Sequence, residues 1–174
     1  MRHAALDDVR VLDFTQHVAG PYCTKLLADY GADVVKVERL VGGDGARRLG
    51  PFPCGEPHPE KSGLFLHLNT NKRGITLNLK SAEGQKIVRQ LVREVDVVVE
   101  SFRPGVMARL GLDYESLRSM NSEIVMTSIS NFGQSGPYRD FKGSVIAFYG
   151  MGGEMFTTGV AEREPLKMGG DVIQ

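Results

Sequence analysis

Cysteine is scarce in this chain, and neither a long apolar run nor an excess of one charge occurs. The two cysteines among 174 residues, Cys23 and Cys54, are too few for a disulfide scaffold, and both are expected as free thiols. No paired His/Cys spacing surrounds them, so they make no metal site. No segment is apolar for long enough to span a bilayer. The opening MRHAALDDVR lacks the apolar core of a signal peptide, and a cytoplasmic protein is expected. Lys plus Arg and Asp plus Glu number 21 each, a balance that argues against a broad basic face for nucleic acid. Also missing are GxGxxG, P-loop, CxxC and HExxH motifs and a Ser-His-Asp order. What is there, 41% apolar and 24% charged residues, is the composition of a globular domain rather than of a disordered segment.

Strand and helix patterns alternate along the chain. VRVLDF (9–14) is short, β-branched and apolar, as a strand is. PYCTKLLADYG predicts a helix with Pro21 at its first position, Gly31 just past its end, and Cys23, Leu26, Leu27 and Tyr30 on one face. DVVKVE (33–38) predicts a second buried strand and completes a βαβ unit. Residues 40–64, rich in Gly and Pro and without periodicity, predict a long loop, functional or mobile. ITLNL (75–79) predicts a strand, and SAEGQKIVRQLVREV an amphipathic helix capped by Ser81, with Ile87, Val88, Leu91, Val92 and Val95 as its stripe. DVVVES (96–101) predicts another buried strand. A helical stretch interrupted near Gly111 follows, and IVMTSISNF (124–132) closes the series. The sum is an α/β fold: a Rossmann-like, mostly parallel sheet with helices on both faces.

In such sheets ligands sit beyond the carboxyl ends of the strands. Four segments there hold Gly or Pro with polar residues: TQHVAGP, ERLVGGDG, ESFRPG and SNFGQSGP. The first opens a helix, whose free N–H groups and dipole suit an anion, although a plain tight turn has the same pattern. His17 is structural or chemical, and Arg39 is solvated or pairs with a phosphate. Phe102 stacks on a planar ring or fills the core. Lys80, Arg109 and Lys142, near helix starts or loops, are anchors or ordinary surface charge. Met151, Met155 and Phe156 line an apolar channel or fill the core.

Together, VRVLDFTQHVAGPYCTKLLADYGADVVKVER, LNTNKRGITLNLKSAEG, DVVVESFRPGVMARLGLDYESL and SISNFGQSGP resemble the opening of a family III CoA-transferase. This is the family of formyl-CoA transferase, carnitine CoA-transferase and α-methylacyl-CoA racemase. The resemblance runs from about Val9 to the last residue, with the motifs in family order. It implies that residues 1–174 are the N-terminal part of the large CoA-binding domain, an incomplete first domain. A smaller second domain and a C-terminal return segment are then absent, and full-length chains form an interlocked homodimer. It implies no permanently bound cofactor. Coenzyme A is a substrate, moved between an acyl-CoA and a small carboxylic acid, with no nucleic acid or membrane as partner. An α-methylacyl-CoA racemase-like enzyme and a non-catalytic CoA-binding paralogue are the alternatives. A dinucleotide-binding oxidoreductase lacks its glycine fingerprint here.

Carried across residue by residue, the family's CoA contacts fall on Val18 and Ala19, Arg39, the run Leu77, Asn78, Leu79 and Lys80, then Ser101, Phe102 and Arg103, Arg109, and Lys142. Scattered cations, helix N-termini and an apolar wall suit a ligand with phosphates and a planar adenine. The family often has Asn where Ser101 stands, which weakens one expected hydrogen bond. The family aspartate attacks the thioester in the transferases and moves a proton in the racemases. Counting without gaps from Thr158-Gly159, and from Pro165 through Gly169, places its counterpart at Gln174. A glutamine amide keeps the shape but has no ionised oxygen for the attack. Asp171, three residues earlier, serves only if the alignment slips.

Overall fold

Five strands build one sheet: β1 (Arg10–Phe14), β2 (Asp33–Glu38), β3 (Lys72–Thr76), β4 (Val97–Glu100) and β5 (Val125–Ser128). Every neighbouring pair is parallel, in the order β3-β2-β1-β4-β5. In this computed structural model, residues 4–160, 162–164 and 166 are described. The chain divides into two units, Met1–Ser130, which holds the sheet, and Asn131–Gln174.

Parallel strands need crossovers, and helices supply them. In the first unit these are α1 (Ala19–Asp29), α2 (Gly63–Leu68), α3 (Ala82–Val92), α4 (Val106–Arg109) and α5 (Tyr114–Arg118). Side chains alternate across each strand, so each face has its own core. Leu12, Phe14, Val37 and Val98 pack with Val88 and Val92 of α3, Met107 of α4 and Leu117 of α5. Val11, Val34 and Val99 pack on the opposite face with Ala28 of α1. Helices therefore cover both faces, and burying each such side chain contributes about 1.5–3 kcal/mol.

Several local expectations shift. α1 begins at Ala19, so Pro21 is its third residue rather than its first. That position tolerates proline because its N–H would lack an intrahelical partner anyway. The buried face of α1 is Gly20, Pro21, Thr24 and Ala28, while Leu26 and Tyr30 are exposed. Small residues and a hydrogen-bonding threonine meet the sheet there, with Leu27 partly buried against the same cluster. β3 spans Lys72–Thr76, three residues ahead of the expected strand, because Lys72 and Arg73 pair with Val34 and Val35 of β2. The loop at 40–64 carries short 3-10 turns at Gly45–Arg48 and Pro53–Gly55 and ends in α2. In α3, Ser81 caps as expected, its Oγ accepting from Gly84 N at 3.1 Å. Val88 and Val92 are buried, but Ile87 is exposed.

The second unit holds α6 (Val145–Met151) and α7 (Glu154–Thr157). Phe132 stands with its ring centroid 6.1 Å from Tyr138, 6.2 Å from Phe141 and 5.5 Å from Phe148. Edge and tilted geometries of this kind contribute a modest attraction, while Tyr138 and Phe141 remain exposed. Met151 and Phe156 are exposed, so neither fills a core.

Candidate functional site

The chain runs from β1 outward to β3, then returns across β1 to add β4 and β5. The order reverses between β1 and β4, and their carboxyl ends open the crevice where such sheets hold ligands. The two exits are tied together: Gln16 N donates to Ser101 Oγ at 2.9 Å. Ser101, expected to weaken a contact, thus has an assigned partner within the protein. α1 starts at this crevice, and its N-cap is Val18, which has no side-chain hydrogen bond to offer. No acidic residue lies in its first turn. The first turn of α1 thus has neither a side-chain cap nor an acidic residue of its own, and the nearest carboxylate contact is that of Asp44 with the His17 N–H, one residue ahead of the cap.

The other expected contacts fall as follows. Val18 and Ala19 are the cap and first residue of α1. Arg39 follows β2, exposed, and donates through Nη2 to Gly43 O at 3.1 Å. Residues 77–80 are not the end of a strand but the turn between β3 and α3. There Leu77 and Leu79 pack on the larger core, while Asn78 and Lys80 are exposed. Phe102 is partly buried against the same core, and Arg103 is exposed. Arg109 is the last residue of the short α4, directly before the turn at Leu110 and Gly111, and it is exposed. Parallel pairing brings the exits of β1, β2, β3 and β4 to one edge. Lys142 belongs to the second unit and is exposed. Asp171 and Gln174 lie outside the described residues.

Reading the sequence missed an ionic layer on the α1 side of the sheet. That face is apolar at Val11 and Val34 and turns charged toward the carboxyl ends, at Asp13, Lys36 and Glu38. Lys36 pairs with Asp44 at 2.9 Å, both side chains at most 2% exposed, and Lys36 Nζ also donates to Thr15 O at 2.8 Å. Arg47 grips Glu38 through Nε and Nη2, both at 2.7 Å, and lies 3.7 Å over the centre of the Phe65 ring. Lys72 Nζ bonds Asp13 Oδ2 at 3.1 Å, Pro21 O at 2.8 Å, Thr24 Oγ1 at 2.7 Å and Asn69 Oδ1 at 3.0 Å. The available signal was a pair of charges two residues apart, Lys36 and Glu38, inside a strand that had to be buried.

Burial alone would push the Asp44 carboxyl up; Lys36 and the N–H groups of Ala46 and His17 outweigh it and hold the group below the usual carboxylate range. For Glu38, burial is again the largest influence, and Arg47, the Asp44 N–H and Lys36 overcome it. Burial drives Lys72 down to about 8 against the pull of Asp13. Beside this layer a cavity of about 190 Å³ is lined by residues that include Lys36, Asn69 and Lys72. A wider cleft of about 450 Å³ borders Glu38, Arg47, Ile75 and Thr76. Among the described residues, no group of three or more His, Cys, Asp or Glu side chains is gathered to hold a metal ion. Nor is any helix there long and apolar enough to cross a membrane.

Known proteins match both the sequence and the geometry. The chain is 44% identical over 170 residues to the succinate–glutarate CoA-transferase of Agrobacterium fabrum, covering 97% of this chain and 42% of that protein. It is 43% identical over 168 residues to the formyl-CoA:oxalate CoA-transferase of Streptomyces avermitilis, covering 97% of this chain and 40% of that one. The crystal structure of a CAIB/BAIF family protein from Brucella suis superposes with a TM-score of 0.87 at 40% identity, over 98% of this chain and 45% of its own. The chain thus spans about two fifths of the length of the curated relatives it matches. The family model for CoA-transferase family III matches residues 6–174, and the chain belongs to that family.

Proposed function

We propose that this chain is the N-terminal part of the large CoA-binding domain of an enzyme that moves CoA from an acyl-CoA to a small carboxylic acid. The observation that carries the reading is the crevice between β1 and β4, where the uncapped start of α1 meets the Ser101 turn. An uncapped helix start receives a phosphate through backbone N–H groups. Arg39, Lys80, Arg103 and Arg109 supply scattered cations, and Leu77, Leu79 and Phe102 an apolar wall. A small second domain and a return segment complete the site in this reading, and two chains interlock as a homodimer. CoA enters as a substrate, with no resident cofactor. Free Cys23 and Cys54 agree with a reducing, cytoplasmic setting.

In the reaction that the family resemblance implies, a carboxylate oxygen attacks the thioester carbonyl. The CoA thiolate leaves, and a mixed anhydride remains on the protein. The thiolate then attacks the protein's own carbonyl of that anhydride, giving a protein–CoA thioester and releasing the first carboxylic acid. Gln174 stands where that carboxylate is expected, and its neutral amide cannot take the step. One experiment on the protein at its natural length tests both parts. By calorimetry, Arg39→Ala and Arg109→Ala each weaken CoA binding by about 1–3 kcal/mol, the loss of a charge-assisted hydrogen bond. Incubation with an acyl-CoA and hydroxylamine leaves residue 174 unmodified in the natural protein, whereas Gln174→Asp yields a hydroxamate adduct by mass spectrometry. Unchanged affinity in both arginine variants removes the placement of CoA. Turnover abolished by Asp171→Asn but not by Gln174→Ala assigns the chemistry to Asp171.

A further inference from the structure

The turn after β1 is held from outside by the segment that follows β2. Asp44 Oδ1 accepts the backbone N–H of His17 at 2.9 Å and that of Ala46 at 2.9 Å. Its other oxygen pairs with Lys36 Nζ, which also donates to Thr15 O at 2.8 Å. One buried ion pair therefore fixes both a carbonyl and an N–H of the turn. Between those two contacts the chain bends sharply, and His17 sits in the left-handed region at φ 66°. A histidine in that region needs surroundings that hold it there. Gly45 contributes the second restraint. A Cβ at that position would stand 2.2 Å from Cε1 of the His17 ring, so only glycine lets the imidazole lie where it does. The 3-10 turn around Gly45 is itself anchored: Asp44 N donates to Glu38 Oε2 at 2.8 Å, and Ser62 Oγ donates to Ala46 O at 2.8 Å.

We propose that Asp44 and Gly45 are positioning residues for the turn that receives the anionic part of CoA. They set His17 in its left-handed bend, and the next residues, Val18 and Ala19, then open α1 with its N–H groups facing the crevice. Neither residue touches the ligand. The inference rests on the CoA reading above, and a ligand-independent measurement separates the two.

The test uses the protein at its natural length. Gly45→Ala pushes the His17 ring aside and raises the Kd for CoA by on the order of tenfold, what one misplaced hydrogen bond costs. Adding His17→Gly removes the ring, keeps the N–H for Asp44 and accepts a positive φ, so the double variant recovers most of the affinity. A merely destabilising effect of Gly45→Ala is not repaired in this way. Asp44→Asn keeps an acceptor for His17 but loses the charge that holds Lys36, and it weakens CoA as well. Amide hydrogen exchange reads the turn without ligand: the His17 N–H is protected in the natural protein and exchanges faster in Gly45→Ala. If Gly45→Ala binds CoA as tightly as the natural protein, or His17→Gly fails to restore it, the positioning role is overturned. If the natural protein does not bind CoA, the functional reading falls. The positioning role then stands or falls on whether His17 protection is lost in Gly45→Ala.

Discussion

At the scale of single residues, the informative groups are charges in places where charges are costly. The side chain of Lys72 is 1% exposed, and its ammonium is surrounded by Asp13, Thr24, Asn69 and the Pro21 carbonyl. Burial lowers its pKa from 10.5 to about 8. Between those values the unfolded chain holds a proton that the folded protein has released. The contribution of this group to stability therefore rises with pH across that window. Comparison of the natural protein with Lys72→Met in thermal melts from pH 8 to pH 10.5 reads this, and the gap in stability widens as the pH rises. A gap that stays constant would mean that Lys72 titrates at its ordinary value. Asp44 and Glu38 shift stability in the same direction, but in the acid range. Their folded pKa values are depressed, so the stability they contribute is present at neutral pH and is lost as the pH falls through those values.

At the scale of elements, α3 shows how one glycine and one cap set a strand exit. Ser81 Oγ caps Gly84 N at 3.1 Å and donates to Asn78 O at 2.9 Å. A Cβ on Gly84 would stand 2.0 Å from Asn78 O, a backbone atom that cannot swing away. Alanine at an interior helix position ordinarily stabilises by about 1 kcal/mol over glycine. Here the sign reverses: Gly84→Ala must lift the turn at 77–80 off α3. Urea denaturation is expected to show Gly84→Ala less stable than the natural protein, and Ser81→Ala less stable by about 1 kcal/mol. Gly84→Ala that equals or exceeds natural stability would mean that the turn yields freely, and the rigid wall assigned to Leu77 and Leu79 would go with it.

At the scale of the whole molecule, both core clusters are built from residues that precede Asn131. All five strands lie in the same unit. A chain that ends at Ser130 therefore retains every buried contact between sheet and helices described for that unit. It is expected to keep the far-UV circular dichroism of an α/β protein and to melt in one cooperative transition. A gradual, non-cooperative melt would show that the sheet depends on residues beyond Ser130. The larger assembly proposed above adds its second domain to a scaffold that is already continuous from β3 to β5.

The sequence by itself determined the α/β alternation, the five strands, the cap at Ser81 and the break near Gly111, because periodicity and capping are local. It also carried the family motifs, since those are runs of neighbouring residues. It placed β3 three residues late and put the exposed Leu26 and Tyr30 on the inward face of α1. Both errors have one origin: registry and helix orientation depend on partners distant in the chain, such as Lys72 opposite Val34 and Thr24 beneath Asp13. Only the tertiary structure brought Asp13, Lys36, Glu38, Asp44, Arg47 and Lys72 into one buried layer. In the sequence Lys36 and Glu38 stand in a strand expected to be buried, but nothing there names their partners. Strand alternation points Asp13, Lys36, Glu38 and Lys72 toward α1, and the loop after β2 folds back to bring Asp44 and Arg47 to them. Their meaning comes from neutralising one another out of water, which no stretch of adjacent residues records.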